Sequence, residues 1–360
     1  MPTAPTLTIQ HLLEEVIKRH ASDLHLTVGA MPTIRVDGSL VAIEHSAPLS
    51  GADVENLCFS LTSDEQKDIL LSNKEVDFSF ALGEVARFRV NLYHQKGYLG
   101  AALRFIPTNI RTIADLGLPN VVEHFTNLPQ GFVLVTGPTG MGKSTTLAAM
   151  INQINENKAS HIITIEDPIE YVYPHRQSLV TQRELHLDTH SWDIALRSVL
   201  REDPDVVMVG EMRDFETISA ALTIAETGHL VFATLHTNSA SQTIDRIIDV
   251  FPEHQQAQVR SQLASSLEGI ISQRLIPALG GGRVVATEIL TMNSGIRSVI
   301  REGKTHQIDN LMTTGSDVGM TSLERSLVTL IQAGKISLEE AKQHTLRSGE
   351  LERIMRNRVT

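Results

Sequence analysis

A glycine-rich segment near the middle of the chain has the residue types and the spacing that bind a phosphate group. It reads GPTGMGKS, follows the apolar run GFVLVT and precedes the helix-like stretch TTLAAMI. Glycines let consecutive backbone N–H groups curl around a phosphate, and the N-terminus of the following helix adds positive potential. In this pattern Lys143 reaches the β- and γ-phosphates of a nucleotide, and Ser144 binds Mg²⁺. The sequence therefore predicts a site for ATP and Mg²⁺ at Gly137, Pro138, Thr139, Gly140, Met141, Gly142, Lys143, Ser144 and Thr145.

Two further apolar runs end in carboxylates. HIITI is followed by Glu166, Asp167 and Glu170, and DVVMV is followed by Gly210 and Glu211. Ligands of open α/β sheets bind at the carboxyl ends of the strands, so Glu211 is a candidate for orienting or deprotonating an attacking water. A glycine stands where a metal-binding aspartate usually precedes such a glutamate, so the charge for Mg²⁺ is expected from Glu166, Asp167 or Glu170. The alternative is that all of them are surface carboxylates at the starts of loops.

A fourth apolar run, HLVFATLH, carries a histidine at each end, His229 and His236. At a rise of about 3.3 Å per residue, a straight strand separates the two by roughly 23 Å. Both can hardly contact one γ-phosphate. His236 lies at the carboxyl end and is expected to sense the phosphate, whereas His229 is expected to be structural or to lie at a subunit boundary.

These four apolar runs alternate with helical patterns, which indicates an α/β fold with a parallel sheet wrapped by helices. Runs that are apolar at nearly every position are typical of strands buried on both faces. After Ile270 the chain is expected to be mostly helical, and Ser337 is a good N-cap for one of these helices.

The first hundred residues have a different pattern, one helix followed by short strands, and predict a small α+β domain. TIRVDGSLVAI is typical of a hairpin that turns at Asp37-Gly38, and RFRVNLYHQ pairs with GYLGAALRFIP through a turn at Lys96-Gly97. Residues 23–26 are expected to form a strand. The apolar face of the helix is expected to consist of Leu12, Leu13, Val16 and Ile17.

The predicted domains are therefore residues 1–107 and 120–360, the second with a helical C-terminal part. The linker between them is placed at residues 108–119, TNIRTIADLGLP, which two prolines bound.

Composition limits the function classes. The 360 residues are 41% hydrophobic and 20% charged, as in an ordinary globular protein, and 360 residues suffice for two domains.

The formal net charge of −11 disfavours a nucleic-acid motor, because such proteins usually carry a basic stripe that neutralises phosphates. Cys58 is alone, so neither an intrachain disulfide nor a cysteine-cage zinc site is expected. No apolar run approaches about 18 residues and the N-terminus does not resemble a signal peptide, which predicts a cytoplasmic protein.

Several motifs in the same order resemble the retraction ATPases of type IV pili, within the secretion-ATPase superfamily. GPTGMGKSTTLAAMI resembles their phosphate loop, ITIEDPIEYVY their aspartate box, ALRSVLREDPDVVMVGEMRD their second acidic motif and AETGHLVFATLHTNSA their histidine box. ASDLHLTVG, IRVDG and VRSQLASSLEGIISQRL are also similar, so that the resemblance covers nearly the whole chain. It implies a PAS-like N-terminal domain, a RecA-like ATPase domain and a homohexameric ring.

The resemblance also implies roles for individual residues. Glu211 would activate water, Glu170 or Glu166 would serve the metal, and His236 would sense the γ-phosphate. Family arginines that meet the phosphates match best to Arg87, Arg89, Arg104, Arg197 and Arg201. Arg87 and Arg89 alternate onto one face of a strand, and Arg197 and Arg201 are spaced i,i+4 on a helix; either pair can equally be an ordinary solvated face.

The function implied is a motor that couples ATP hydrolysis to pilus disassembly and twitching motility. The expected partners are an inner-membrane platform protein and a pilus-assembly ATPase, with membrane association only through these partners and no binding of nucleic acid. One alternative is a pilus-extension or type II secretion ATPase of the same superfamily, which the short N-terminus and the missing four-cysteine insertion disfavour. The other is a non-hydrolysing, nucleotide-gated scaffold, which Glu211 disfavours.

A C-terminal segment, GIRSVIRE at residues 295–302, keeps the skeleton of the retraction family's signature AIRNLIRE. Ile296, Val299 and Ile300 recur at helical spacing and are expected to be buried. Arg297, Arg301 and Lys304 are expected to line another face of the same helix. The hypothesis is that this face transmits motion to a partner, the alternative being a solvated helix face.

Overall fold

The computed structural model describes residues 7–36, 38–44, 47–83, 86–106 and 110–357, and these form two units. The first unit contains the described residues up to Ile106 and the short segment Pro168–Val172. The second contains Ile110–Asp167 and the described residues from Tyr173 onward. Part of the proposed linker, Thr108 and Asn109, lies outside the described residues. In the remainder, Ile113 and Leu118 are buried within the second unit.

An antiparallel sheet of six strands, in the order β3-β2-β1-β6-β5-β4, forms the centre of the first unit. The predicted apolar face of the first helix is confirmed for Leu12, Leu13 and Val16, which are buried, whereas Ile17 is half-buried. The predicted turn at Lys96-Gly97 is confirmed as well, with both residues at positive φ and Gln95 paired with Tyr98. Of the other predicted turn, Asp37 lies outside the described residues. The elements are α1 (Ile9–Lys18), β1 (Asp23–Thr27), β2 (Thr33–Val36), β3 (Ser39–Ala42), α2 (Gly51–Phe59), α3 (Asp64–Asn73), β4 (Glu75–Leu82), β5 (Ala86–Gln95) and β6 (Tyr98–Ile106).

The expectation of a single helix in this region is wrong, because α2 and α3 are also present. Each begins with a capping box, in which a serine side chain and a residue three positions later satisfy each other's backbone N–H groups. Ser50 pairs in this way with Asp53, and Ser63 with Gln66. Both boxes can be read from the sequence, so the signal for these helices was available.

The second unit has a seven-stranded sheet in the order β13-β12-β7-β11-β10-β8-β9. All neighbouring strands are parallel except β13, which runs antiparallel to β12. Every residue of β7, β10 and β11 is buried, because helices cover both faces of the sheet. The predicted α/β fold with a parallel sheet is therefore confirmed. The likeness of the first unit to a PAS domain stays a prediction.

The elements of the second unit begin with α4 (Val121–Thr126), β7 (Gly131–Thr136), α5 (Lys143–Asn157), β8 (His161–Glu166), β9 (Leu179–Glu184), α6 (Trp192–Val199), β10 (Val206–Val209), α7 (Phe215–Glu226), β11 (Leu230–Leu235), α8 (Ala240–Asp249) and α9 (Glu253–Ser266). They continue with β12 (Leu267–Pro277), β13 (Arg283–Thr291), α10 (Ser294–Arg301), α11 (Ile308–Thr314), α12 (Leu323–Gln332), α13 (Leu338–His344) and α14 (Ser348–Asn357).

The predicted helical C-terminal part begins later than expected. Residues 267–291 form the hairpin β12–β13 on the edge of the parallel sheet, and the helices start at Ser294. The predicted N-cap is confirmed, because the Ser337 side chain accepts a hydrogen bond from the Glu340 backbone N–H. None of the described helices is long and apolar enough to cross a membrane.

Candidate functional site

The phosphate loop lies between the carboxyl end of β7 and the first residue of α5, as the sequence predicts. Three of its glycines have positive φ: Gly137 (φ 144°), Gly140 (φ 77°) and Gly142 (φ 81°). At Gly137 a side chain is also excluded by space, because a Cβ atom would lie 2.5 Å from the backbone oxygen of Gln273. These positions allow the chain to curl tightly in front of the helix N-terminus.

Lys143 is folded back onto its own loop. Its Nζ atom donates hydrogen bonds to the backbone oxygens of Gly137 (2.9 Å) and Pro138 (3.2 Å), and the side chain is buried. The ammonium group is thus already positioned inside the loop, where an anion would exchange these carbonyl partners for a stronger, charged one.

His236 connects the phosphate loop to the carboxylate that follows β10. Its Nδ1 atom lies 3.3 Å from Thr139 Oγ1 and 3.4 Å from Lys143 Nζ, and its Nε2 atom lies 3.0 Å from Glu211 Oε1. The Nε2 edge of the ring thus faces the carboxylate, and the Nδ1 edge faces the Thr139 hydroxyl and the Lys143 ammonium group. A change at the phosphate loop can therefore reach Glu211 through one side chain.

Glu211 is held by Arg213 in a two-pronged ion pair, with Nε to Oε1 at 2.7 Å and Nη2 to Oε2 at 2.8 Å. Burial raises the pKa of Glu211, but the hydrogen bonds from Arg213 and the charges of His236, Arg213 and Lys143 outweigh burial and leave the pKa below its ordinary value. The segment that follows β10 and carries Glu211 is held by β11, because the Thr234 hydroxyl donates a hydrogen bond to the Gly210 carbonyl at 2.6 Å. Glu211 is thus an ionised acceptor in a fixed position.

The carboxylates after β8 occupy different environments. Glu166 is buried and its Oε1 accepts hydrogen bonds from Thr164 (2.7 Å) and Gln182 (3.1 Å). Asp167 is exposed, and its charge contributes, after that of Glu211, to raising the pKa of Arg213. Glu170 belongs to the first unit. Within the described part of the chain, no group of three or more histidine, cysteine or carboxylate side chains is arranged to hold a metal ion by itself.

A cleft of about 430 Å³ opens beside Glu211 and His236. Its far wall is the exposed side of α8, which contributes Gln242, Asp245, Arg246 and Asp249. The carboxylate therefore borders a space large enough for water and part of a ligand.

Arg197 and Arg201 do not form the pair expected on one helix. Helix α6 ends at Val199, so Arg201 lies beyond it, and its Nη1 donates to the Arg197 carbonyl. Arg197 pairs with Asp193 at 2.7 Å, and both arginine side chains are exposed. Their predicted catalytic role stays a prediction.

Arg87, Arg89 and Arg104 belong to the first unit, in strands β5 and β6. The Arg87 side chain donates to the Ser79 hydroxyl at 2.8 Å, and the Arg104 side chain donates to Asp23 at 2.9 Å. Arg89 on β5 lies opposite Arg104 on β6 in the register of the two strands. Arg87 and Arg89 alternate with buried residues, so the prediction that they share a face is confirmed.

His229 is remote from this cluster, as predicted, since it precedes the amino end of β11. Its Nδ1 atom contacts Thr227 Oγ1 (3.0 Å) and the Ile224 carbonyl (3.1 Å), at the C-terminal end of α7. These contacts fit a structural residue.

The expected basic face of α10 is wrong in two residues, Arg297 and Lys304. Helix α10 ends at Arg301, so Lys304 lies beyond it. Ile296, Val299 and Ile300 are buried as predicted. Arg297, however, points inward: its Nη1 donates to the carbonyls of Ala264 (2.7 Å) and Ser265 (3.0 Å), and its Nη2 pairs with Glu268 at 2.8 Å. It closes the C-terminal end of α9, whereas Arg301 and Lys304 are exposed.

Sequence reasoning gave no role to two residues of the site, Arg213 and Gln273. Arg213 follows Glu211 by two positions, so its pairing could have been anticipated from that spacing. Gln273 lies 132 residues beyond Met141, the loop residue that it contacts, and nothing local in the sequence indicates this contact.

Comparison with known proteins gives the family. The model of the type II/IV secretion system protein family matches residues 3–282. The chain belongs to that family. It is 50% identical over 337 residues to the type IV pilus retraction ATPase PilT of Pseudomonas aeruginosa, covering 94% of this chain and 98% of the relative.

Two other family members are similar over most of the chain. A twitching motility protein of Neisseria gonorrhoeae is 49% identical over 318 residues, which are 88% of this chain and 85% of the relative. A crystal structure of the pilus retraction motor PilT with bound ADP superposes with a TM-score of 0.91 at 48% identity, covering 96% of this chain and 99% of that one.

The residues present fit a nucleotide with its metal ion. Lys143 is positioned inside a loop of positive-φ glycines, and Ser144 lies in the first turn of α5. Mg²⁺ at nucleotide sites takes one or two protein oxygens and completes its shell with phosphates and waters, so the Ser144 hydroxyl is a suitable protein ligand.

Proposed function

We propose that this chain is the ATP-hydrolysing motor that retracts type IV pili and thereby drives twitching motility, and that it works as a homohexamer. The observation that carries the proposal is the continuous chain from Lys143 through His236 to Glu211, which joins the phosphate loop to an ionised carboxylate. Support also comes from the extensive identity to pilus retraction ATPases.

Each residue of the site has a role in hydrolysis. The loop N–H groups and Lys143 bind the phosphates and offset the negative charge that develops on them. Glu211 accepts a hydrogen bond from the attacking water or takes its proton, which its low pKa permits at neutral pH. His236 contacts both the phosphate loop and Glu211, and it senses whether the terminal phosphate is present.

Bound Mg²⁺ would neutralise phosphate charge during transfer. Ser144 is the ligand we assign from the loop, with Glu166 or Asp167 acting through water at the end of β8. Glu170 remains a candidate for the same task.

The arginines of the first unit complete the site in this proposal. Arg87, Arg89 and Arg104 share one side of the six-stranded sheet and would meet phosphates when the ring forms. The platform protein of the inner membrane and the pilus-assembly ATPase are the proposed partners, with attachment to the membrane through them.

The experiment is replacement of the gene in its host by a Lys143→Ala variant, followed by imaging of surface pili and assay of twitching. We expect excess pili that do not retract, because the loop loses the cation that binds the phosphates. The matched control is Lys342→Ala, an exposed lysine on α13, which should retract pili normally.

The pilus phenotype of the Lys143→Ala strain distinguishes a retraction ATPase from an extension or secretion ATPase. A Lys143→Ala strain without pili would indicate an extension or secretion ATPase. Normal retraction in that strain would contradict the proposal.

A further inference from the structure

Strand β12 borders the phosphate loop, and one of its residues, Gln273, contacts the loop at both ends. The parallel register pairs Ser272 with Thr136, the last residue of β7. Gln273 is therefore placed one position beyond that strand, beside the first glycine of the loop. Its side chain is almost fully buried, with 2% of its surface exposed.

The contacts of Gln273 are specific to the loop. Its Nε2 atom donates a hydrogen bond of 2.6 Å to the Met141 backbone oxygen. Its own backbone oxygen lies 2.5 Å from the position that a Cβ atom at Gly137 would take, and Nε2 lies 3.3 Å from the corresponding position at Gly142. Two residues further along β12, the Leu275 N–H contacts the Met141 sulfur at 3.3 Å.

The hydrogen bond to Met141 determines the direction of the next N–H group. In a trans peptide the carbonyl and the N–H point in opposite directions. When Gln273 holds the Met141 carbonyl toward β12, the N–H of Gly142 is turned toward the inside of the loop. In phosphate loops it is these inward N–H groups that bind the phosphate.

The amide oxygen of Gln273 also indicates that the side chain is oriented for its contact with Met141. Gln273 Oε1 is buried and has no hydrogen-bond partner among the residues that the structure describes. A buried polar atom without a partner is unfavourable. Reversing the amide would direct Oε1 at the Met141 carbonyl, so the observed orientation is kept for the Nε2 contact to the loop.

We propose that Gln273 is a positioning residue for the nucleotide site, which holds the Met141 carbonyl outward so that the Gly142 N–H faces the phosphate of a nucleoside di- or triphosphate. This inference rests on the proposed function and assigns the residue that shapes its binding loop. Since the contact is made whether or not the reaction proceeds, it affects binding of ground state and transition state alike.

The test compares Gln273→Leu with wild type in three measurements: the Kd of N-methylanthraniloyl-ADP by fluorescence, KM and kcat for ATP, and thermal unfolding without nucleotide. We expect Kd and KM to rise about 5- to 20-fold while kcat stays within about twofold, the pattern of lost uniform binding. The control is Ser272→Ala on the same strand, which loses its buried contact to the Thr136 hydroxyl but none to the loop. It should lower thermal stability and leave Kd within about twofold of wild type.

A second variant, Gln273→Glu, keeps the size of the side chain and replaces the donor by an acceptor. It should raise Kd at least as much, because a carboxylate repels both the Met141 carbonyl and the phosphate. If either folded variant binds N-methylanthraniloyl-ADP as wild type does, or if kcat falls with KM unchanged, the role of Gln273 is overturned. Wild-type protein that binds no nucleotide would instead contradict the proposed function.

Discussion

A buried carboxylate, Glu288 on β13, leads to a prediction about the pH dependence of stability. Its side chain is 1% exposed, and its Oε1 accepts a hydrogen bond from the Ala240 N–H at the start of α8. The only cation facing it among the described residues is Arg347, at 3.4 Å from Oε2. That guanidinium is shared with three more carboxylates, Glu324 (3.0 Å), Asp309 (3.1 Å) and Glu350 (3.1 Å).

One guanidinium cannot neutralise four carboxylates, so the cluster favours retention of a proton. Burial is the main cause that raises the pKa of Glu288 from 4.5 to about 7, with repulsion from Asp309 and Glu324 adding to it, while the Ala240 N–H and Arg347 act in the opposite direction. The folded chain then holds a proton between these two pH values that the unfolded chain has lost. Stability must therefore fall as the pH rises from 4.5 through 7. At about 1.4 kcal/mol per pH unit, the loss amounts to about 3 kcal/mol.

Replacing Glu288 by Gln removes the titrating group and keeps an oxygen for the Ala240 N–H. We expect the free energy of unfolding in urea, measured at fixed protein concentration, to match wild type near pH 4, below the pKa of the unfolded chain, and to exceed it by up to about 3 kcal/mol at pH 8. The control is Glu123→Gln, an exposed glutamate on α4, which should keep the wild-type pH dependence. Equal pH dependence in wild type and Glu288→Gln would refute the reasoning.

Two further predictions concern arginines. Arg297→Ala should lower the free energy of unfolding by about 1–3 kcal/mol, because it leaves two helix-end carbonyls and Glu268 without their partner; Arg301→Ala, on the exposed side, should change it by less than about 0.5 kcal/mol, and equal urea midpoints for the two variants would contradict this. Arg213→Ala should raise the pKa of Glu211, so the acid limb of the kcat–pH profile should move to higher pH. An acid limb that stays in place would exclude Arg213 as the group that keeps Glu211 ionised.

The part of the site that is local in sequence could be predicted. The phosphate loop needs only eight consecutive residues and the strand and helix around them. Glu211 and His236 could be placed near it because parallel strands present their carboxyl ends at one edge of the sheet. The strands β7, β8, β10 and β11 could also be predicted from their apolar runs, because strands buried on both faces are apolar at nearly every position.

What depends on tertiary register could not be predicted. The contact of Gln273 with Met141 requires β12 to lie beside β7, and the apolar run around β12 did not distinguish a strand from a helix. Arg297 has helical spacing with Arg301, but only the packing of α10 against α9 shows that its guanidinium is used as a cap.

The central claim is that Glu211 serves hydrolysis at a site that Lys143 and the phosphate loop form, and Glu211→Gln tests it most directly. The variant keeps the size of the side chain and loses the charge, so ATP should bind with nearly wild-type affinity while phosphate release falls by about 10²- to 10⁴-fold. Glu216→Gln, an exposed glutamate in the first turn of α7, is the control and should hydrolyse ATP as wild type does. Phosphate release by Glu211→Gln at the wild-type rate would contradict the account.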